Sequence, residues 1–217
     1  MGVQPAPTHS TRPPHAPRLI VFARAPVPGR CKTRLMRRYG AIGAARIHRQ
    51  LTLGTLETAI RAGVAVELWC APDAGHGFFH ACRRRFGVSL HRQPAGDLGH
   101  RMGLALAQTL ARGADAAVII GTDCAALSRG DLAQAFASLA GGSDWVVQPA
   151  ADGGYVLIGA RVAAPAALRG IDWSSGSELR QTLAALRRRD LSCALLPLRW
   201  DVDRPADVRR ARRAGLL

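Results

Sequence analysis

Lysine is nearly missing from this sequence. Of 30 basic residues among 217, Lys32 is the sole lysine and all the others are arginine. The two cations are not interchangeable where phosphate is bound, because lysine offers a compact ammonium and arginine a planar fork. A chain so biased towards arginine marks Lys32 as a candidate for a place that requires an ammonium. Aromatic residues are also scarce, at 5%, so aliphatic side chains and alanine must fill the core. No apolar run approaches the roughly 20 residues that span a bilayer. Nor does the N-terminus carry a basic start followed by an apolar stretch, so no secretory signal is expected and the cytoplasm is the expected location.

Cysteine is sparse and scattered: Cys31, Cys70, Cys82, Cys124 and Cys193 form no CxxC pair, and their odd number argues against a disulfide framework. The histidines show no zinc-like spacing. A bound metal would therefore be held by oxygen, which points to Mg2+ or Mn2+. Acidic residues number only 15, leaving a formal charge of +15. That excess invites a non-catalytic, nucleic-acid-binding reading. Against it, the arginines are spread along the chain, and their runs at 187–189 and 209–213 fall on expected helices, where a charge run is usually a solvated face. No RNA- or DNA-binding motif with stacking aromatics is present. Nucleic acid is thus an unfavoured partner, a polyanionic small molecule a better one, and a homodimer is allowed.

Residues 1–17 are proline-rich without regular apolar spacing and read as a disordered leader. From Arg18 to the C-terminus the chain reads as one α/β domain. Apolar runs at 18–24, 64–70, 88–91 and 116–120 suit strands. So do 144–148, 155–158 and 193–198. Helical patterns occupy about 35–62, with a break near Gly40–Gly43, then 77–86, 97–112, 128–139, 177–189 and a last helix from Pro205. Such alternation predicts a mostly parallel sheet with helices on both faces. Ligands then bind beyond the carboxyl ends of the strands, which selects the loops 25–34, 93–101, 121–127 and 149–154.

The first loop gathers Arg24, Arg30, Lys32 and Arg34 around Pro26, Pro28 and Gly29, a candidate phosphate cradle. It is not a P-loop, because Cys31 stands where that motif needs glycine before the lysine. Asp123 follows the strongest strand, and Trp200-Asp-Val-Asp203 precedes the last helix. Two carboxylates on separate loops can share one Mg2+ or Mn2+, and Asp203 is preferred to Asp201 as partner of Asp123. Asp152-Gly153-Gly154-Tyr155 couples a flexible backbone to a carboxylate and a phenol. Gln93 to Arg101 places a glycine-bearing loop at a helix N-terminus, where anions are favoured.

Taken in order, the segments FARAPVPGRCKTRL, QPAGDLGHRM, GTDCAAL, PAADGGYVLIG, IDWSS and WDVDRPADV resemble an uncharacterised glycosyltransferase-like family found beside radical-SAM and selenium-related genes. That family belongs to the nucleotide-diphospho-sugar transferase superfamily, of GT-A fold. The chain is similar also to phospholactate guanylyltransferases and molybdenum-cofactor nucleotidyltransferases. The resemblance implies a metal-dependent enzyme acting on a nucleotide-sugar, or alternatively a nucleotidyltransferase joining an NTP to a small phosphorylated or hydroxylated acceptor. It implies donor contacts from Phe22, Ala23, Arg24, Pro28, Gly29, Lys32, Gln93, Gly96, Leu98 and Asp123. Catalysis would fall to Lys32, Arg34 and Asp152, the acceptor side to Gly153, Gly154 and Tyr155, and the metal to Asp123 and Asp203. Two departures from the family pattern, Ala125 for a common proline and Gln148 for a common glycine, are expected near the site.

Overall fold

The computed structural model describes residues 16–217; residues 1–15 of the expected leader lie outside the described residues. Seven strands form one sheet: β1 (Arg18–Arg24), β2 (Ala65–Ala71), β3 (Ser89–Arg92), β4 (Ala117–Ile120), β5 (Trp145–Pro149), β6 (Tyr155–Ala160) and β7 (Cys193–Leu195), ordered β3-β2-β1-β4-β6-β5-β7. Only β6 runs against the rest, pairing antiparallel with both β4 and β5. The helices are α1 (Thr33–Ile60), α2 (Gly77–Phe86), α3 (Leu98–Ala111), α4 (Arg129–Ala140), α5 (Glu178–Arg187) and α6 (Pro205–Arg213), with a 3-10 turn at Pro165–Leu168.

Alternation along β1 shows why both sheet faces need cover. Leu19, Val21 and Ala23 enter one core with Leu56, Phe79 and Leu132 from α1, α2 and α4, whereas Ile20 enters a second with Met102, Leu106 and Leu186 from α3 and α5. Successive side chains of a strand point to opposite faces, so a strand apolar at every position is buried twice. A third, smaller cluster joins Leu35, Ile47 and Leu51 of α1 to Val202, Val208 and Ala211. It fixes the segment before α6 over the start of α1.

The break expected in α1 falls at Gly40, whose φ of 66° and ψ of 171° interrupt the helical path. Asp131 and Ser128 close a reciprocal capping box at the start of α4. The turn at Pro165–Leu168 was not expected. It sits so close to α3 that a Cβ on Gly99 would lie 2.0 Å from the Leu168 carbonyl oxygen, and one on Gly103 3.0 Å from that of Pro165. Arginine runs occupy the last turns of α2 (Arg83–Arg85) and α6 (Arg210, Arg212, Arg213). Positive charge is favoured there by the unpaired carbonyls of the helix end, so part of the charge excess has a local structural use.

The two departures from the family pattern lie away from the clefts described below, contrary to expectation. Gln148 is fully buried, and its amide donates to Asp131 Oδ1 (2.7 Å) and the Pro197 carbonyl (3.1 Å). It ties β5 to α4. Ala125 packs on the third core cluster and lines a separate cavity of about 260 Å³ beside Leu51 and Leu127.

Candidate functional site

Loops at the carboxyl edge of the sheet, with the 173–176 segment, converge on two adjoining cavities of about 470 and 480 Å³. Phe22, Leu98, Gly121, Tyr155, Val156 and Asp201 line both and form the partition between them. The first cavity also receives Arg24, Arg30, Lys32, Arg101 and Asp123. The second receives Arg34, Asp152, Gly154, Trp173, Glu178 and Asp203.

Lys32 is the pivot of the first. Its backbone is left-handed (φ 46°), as is that of Gly29 (φ 81°), and this bend carries the chain from the loop into α1. For a residue with a Cβ that conformation costs roughly 1–2 kcal/mol, so the surroundings must hold it. The Lys32 side chain is 5% exposed, and Nζ lies 3.0 Å from Asp123 Oδ1 and 2.9 Å from Asp203 Oδ1. It also donates to the Val202 carbonyl at 2.6 Å. Burial pulls the Lys32 pKa down, but Asp123 and Asp203 more than offset this, and the net shift is upward. The ammonium is therefore the charged form, clamped between loops that follow β4 and β7.

Asp203, the expected second metal ligand, has both oxygens engaged by cations: Oδ1 by Lys32 and Oδ2 by Arg34 at 3.2 Å. Asp201 is the carboxylate left over. It has no hydrogen bond or ion pair among the described residues and faces both cavities. Its pKa is pushed up to about 7, first by burial and then by the carboxylates of Asp123, Asp203 and Asp152, with Lys32 opposing. Like charges thus crowd around an unpaired acid, a situation that a divalent cation relieves. No group of three or more His, Cys, Asp or Glu residues is placed to hold a metal among the described residues. A pair of carboxylates nonetheless suits Mg2+, which keeps several waters and takes further oxygens from substrate phosphates. Asp123 and Asp201 both line the first cavity, whereas Asp203, held by Lys32 and Arg34, lines the second.

Other expected residues divide. Phe22, Ala23, Arg24, Gln93 and Leu98 line the first cavity; Pro28, Gly29 and Gly96 line neither. Gln93 is 8% exposed, donating to the Trp69 (2.8 Å) and Ala23 (3.3 Å) carbonyls and accepting from Arg101 (3.0 Å). It orients the cation wall as much as it faces the cleft. Arg101 is pulled below its usual range by burial and then by the nearby charge of Arg24, a crowding of cations that an anion relieves. Asp152 and Gly154 line the second cavity, but Gly153 does not. Gly153 has φ 92°, and a Cβ there would lie 2.1 Å from the Gly176 carbonyl oxygen. Its glycine lets the 150–154 loop pack on the 174–177 turn.

His48, Trp173 and Glu178 are among the lining residues to which the sequence assigns no role. His48 is 4% exposed; Nε2 lies 2.9 Å from the Arg24 carbonyl oxygen, and burial lowers its pKa, so the ring is neutral. Trp173 and Glu178 stand on the far wall of the second cavity. Trp173 belongs to the IDWSS segment, which marks the family resemblance, and Glu178 opens α5.

The fold defines a class: this is an enzyme of the transferase kind, with the nucleotide-diphospho-sugar transferase fold. The chain belongs to the family described as "Uncharacterized protein conserved in bacteria (DUF2064)", whose model matches residues 55–175. No curated protein matches the chain. It is similar to the structure of a protein from Desulfovibrio desulfuricans G20, provisionally named a nucleotide-diphospho-sugar transferase, at 27% identity over 93% of this chain and 88% of that one (TM-score 0.83). A 4-diphosphocytidyl-2C-methyl-D-erythritol synthase from Anaerococcus prevotii DSM 20548 shares the fold at 9% identity, covering 94% and 100% of the two chains (TM-score 0.62). So does Rv0371C from Mycobacterium tuberculosis H37Rv, in complex with manganese, at 18% identity over 90% and 97% (TM-score 0.53). No helix among the described residues is long and apolar enough to cross a membrane.

Proposed function

We propose that this protein is a glycosyltransferase-like enzyme that takes a nucleotide-sugar donor in the first cavity, with Mg2+ or Mn2+, and passes the sugar to an acceptor in the second. The observation that carries this reading is the Lys32 ammonium, held 3.0 Å from Asp123 inside a cleft walled by arginines. The donor diphosphate lies against Lys32, Arg24, Arg30 and Arg101, and the nucleoside extends along Gln93 and Leu98. Preorganised charges of this kind act where negative charge develops on the leaving nucleotide and need no rearrangement during the reaction. Arg34, paired to Asp203, adds a cation beside this cradle on the side of the second cavity. Asp152 sits on the acceptor side, where it can take the proton of the attacking hydroxyl.

Asp123 and Asp201 would hold the divalent ion, whose chemistry is neutralisation of the departing diphosphate. Support for a cation comes from the unpaired Asp201 and from the manganese complex of a protein with the same fold. Nucleotidyl transfer is the competing reading, because it needs the same cradle and the same ion. The discriminating experiment is a thermal-shift panel of nucleotide-sugars and NTPs with and without Mg2+ or Mn2+, since a ligand that binds only the folded state raises its stability. The expected result is metal-dependent stabilisation by a nucleotide-sugar, abolished in Asp123→Asn. Stabilisation by an NTP with pyrophosphate release on adding acceptor transfers the case to nucleotidyl transfer. Unchanged melting with every nucleotide refutes both.

A further inference from the structure

Arginines that are scattered along the sequence are gathered by the fold on the side of α1 and α6. α1 opens with Arg34, Arg37 and Arg38, all exposed, and has no acid in its first turn. α6 carries Arg209, Arg210, Arg212 and Arg213, likewise exposed. The two helices lie together, because Leu35, Ile47 and Leu51 of α1 share the third core cluster with Val208 and Ala211 of α6. The Arg212 guanidinium of α6 reaches across to the Tyr39 ring of α1, 5.9 Å from its centroid. Their outer sides thus form one basic face.

The acids beside this face are already engaged. Asp207 takes the backbone amides of Asp203 (3.2 Å) and Arg204 (2.7 Å), and Asp203 is shared by Lys32 and Arg34. Of the arginines on the face, only Arg34 has an ion pair among the described residues. Helix-end electrostatics accounts for cations in the last turn of α6, but at the start of α1 it works against them. Clustered like charges repel one another, and an anionic surface relieves that repulsion.

Both nucleic acid and phospholipid offer phosphates to guanidinium groups. Single-stranded nucleic acid is held with open aromatic rings on which bases stack. Here the rings are covered, Trp200 by Arg210 at 4.0 Å and Tyr39 by Arg212. What these two elements leave open is aliphatic: Ile42 of α1 is 61% exposed, and Leu216, just past α6, is 43% exposed. Arginines with exposed aliphatic side chains suit a lipid headgroup layer, where the guanidinium meets phosphate and the apolar group enters the acyl boundary. The face also reaches the second cavity, which Arg34 and Arg204 line from the N-terminal ends of the two helices.

We propose that the α1–α6 face docks the protein peripherally on a membrane containing anionic phospholipid, with the second cavity at the edge of the contact. The docking needs no nucleotide and stands apart from the reading of the first cavity.

The test sediments the full chain with vesicles of phosphatidylcholine alone, and of phosphatidylcholine mixed equally with phosphatidylglycerol, at physiological ionic strength. Binding to the mixed vesicles and not to phosphatidylcholine is expected. Each arginine at the surface is worth roughly a fivefold change in affinity, so Arg209→Glu with Arg213→Glu should weaken binding by more than about tenfold. Arg37→Gln with Arg38→Gln repeats the test on α1 without reversing charge and should cost about tenfold. Arg187→Glu with Arg188→Glu, at the end of α5 on the opposite side of the sheet, lowers net charge as much as the first pair. It should leave binding within about twofold of wild type, because charges beyond a Debye length are screened. Ile42→Ser with Leu216→Ser, which leaves the charge intact, should weaken vesicle binding roughly fivefold while binding of a duplex DNA stays as in wild type. Equal binding to both kinds of vesicle, or binding to neither, overturns the proposal. So does vesicle binding that neither arginine pair weakens, or an equal loss in the α5 pair, which marks attraction by net charge alone. DNA binding abolished by the arginine pairs, with vesicle binding indifferent to the serine pair, overturns it in favour of nucleic acid.

Discussion

Replacing Lys32 by methionine keeps most of the side-chain volume and removes the charge, leaving Asp123 and Asp203 facing each other and the Val202 carbonyl without its donor. Breaking a fully buried pair costs about 3–5 kcal/mol. Here Asp123 and Asp203 are 44% and 33% exposed, so water recovers much of the loss, and about 1–3 kcal/mol is the expected destabilisation. For a chain of this size, each kcal/mol shifts the midpoint by roughly 2–4 °C. A double-mutant cycle isolates the pairwise part: Lys32→Met, Asp123→Asn and the double variant are unfolded in urea without nucleotide. The expected coupling is about 1 kcal/mol, with Asp123→Asn costing less in the Lys32→Met background than in wild type. Added Mg2+ should stabilise Lys32→Met more than wild type, because a carboxylate cluster stripped of its ammonium attracts cations more strongly. Additivity within roughly 0.5 kcal/mol would refute the claim that this lysine is bound by these acids.

Asp131 is 3% exposed and bonded to Ser128, Gln148 and Arg199, so Asp131→Ala should cost roughly 3–5 kcal/mol in urea unfolding. The same acid shapes the acid limb of stability. Burial raises its pKa, but hydrogen bonds from Ser128, Gln148 and Arg199 outweigh burial and the net shift is downward. Its stabilisation is therefore complete above the unfolded value of about 3.9 and disappears as pH falls through the folded one, a limb that Asp131→Asn should flatten. Gly153→Ala should destabilise by about 2–4 kcal/mol, because the new methyl would meet the Gly176 carbonyl oxygen at 2.1 Å; a melting point unchanged within 2 °C or so would contradict that packing. Burial pushes the thiols of Cys70 and Cys124 up to about 12 and that of Cys82 up to about 11. At pH 8 these three should react with a disulfide reagent only after unfolding.

The order of strands and helices was legible because the central strands β1, β2 and β4 are apolar enough to be buried on both faces and some helices carry their own end signals, such as the Ser128–Asp131 box. The turn at Pro165–Leu168 was not, since nothing local marks it. It is held from outside, by the bare backbone that Gly99 and Gly103 expose on α3. Gln148 and Ala125 were read towards the site because they adjoin motifs in sequence. Strand alternation and the third core turned them away, and neighbours along a chain need not share a face. Glu178 and His48 were invisible for a different reason: each is an ordinary residue for a helix, and only the tertiary fold turns its side chain to a cleft.

Asp201 and Asp203 are separated by the way their segment is anchored. Asp-Val-Asp lies in no regular element, so no period says which acid faces inward. The residue between them decides. Val202 is fully buried in the third core cluster, its amide donates to the Asp123 carbonyl at 2.8 Å, and its own carbonyl accepts from Lys32 at 2.6 Å. Trp200, just before, is covered by the Arg210 guanidinium at 4.0 Å. With the valine anchored on three sides, Asp203 is directed to Lys32 and Arg34 while Asp201 is left against the partition of the two cavities. A carboxylate already satisfied by two cations has little left to offer a third, and an unpaired one surrounded by like charge has most to gain. If that logic holds, Asp201→Asn should remove metal-dependent stabilisation as fully as Asp123→Asn does, and Asp203→Asn should weaken the Lys32 clamp while metal dependence survives. The opposite ranking in the same thermal-shift assay would return the metal to Asp203.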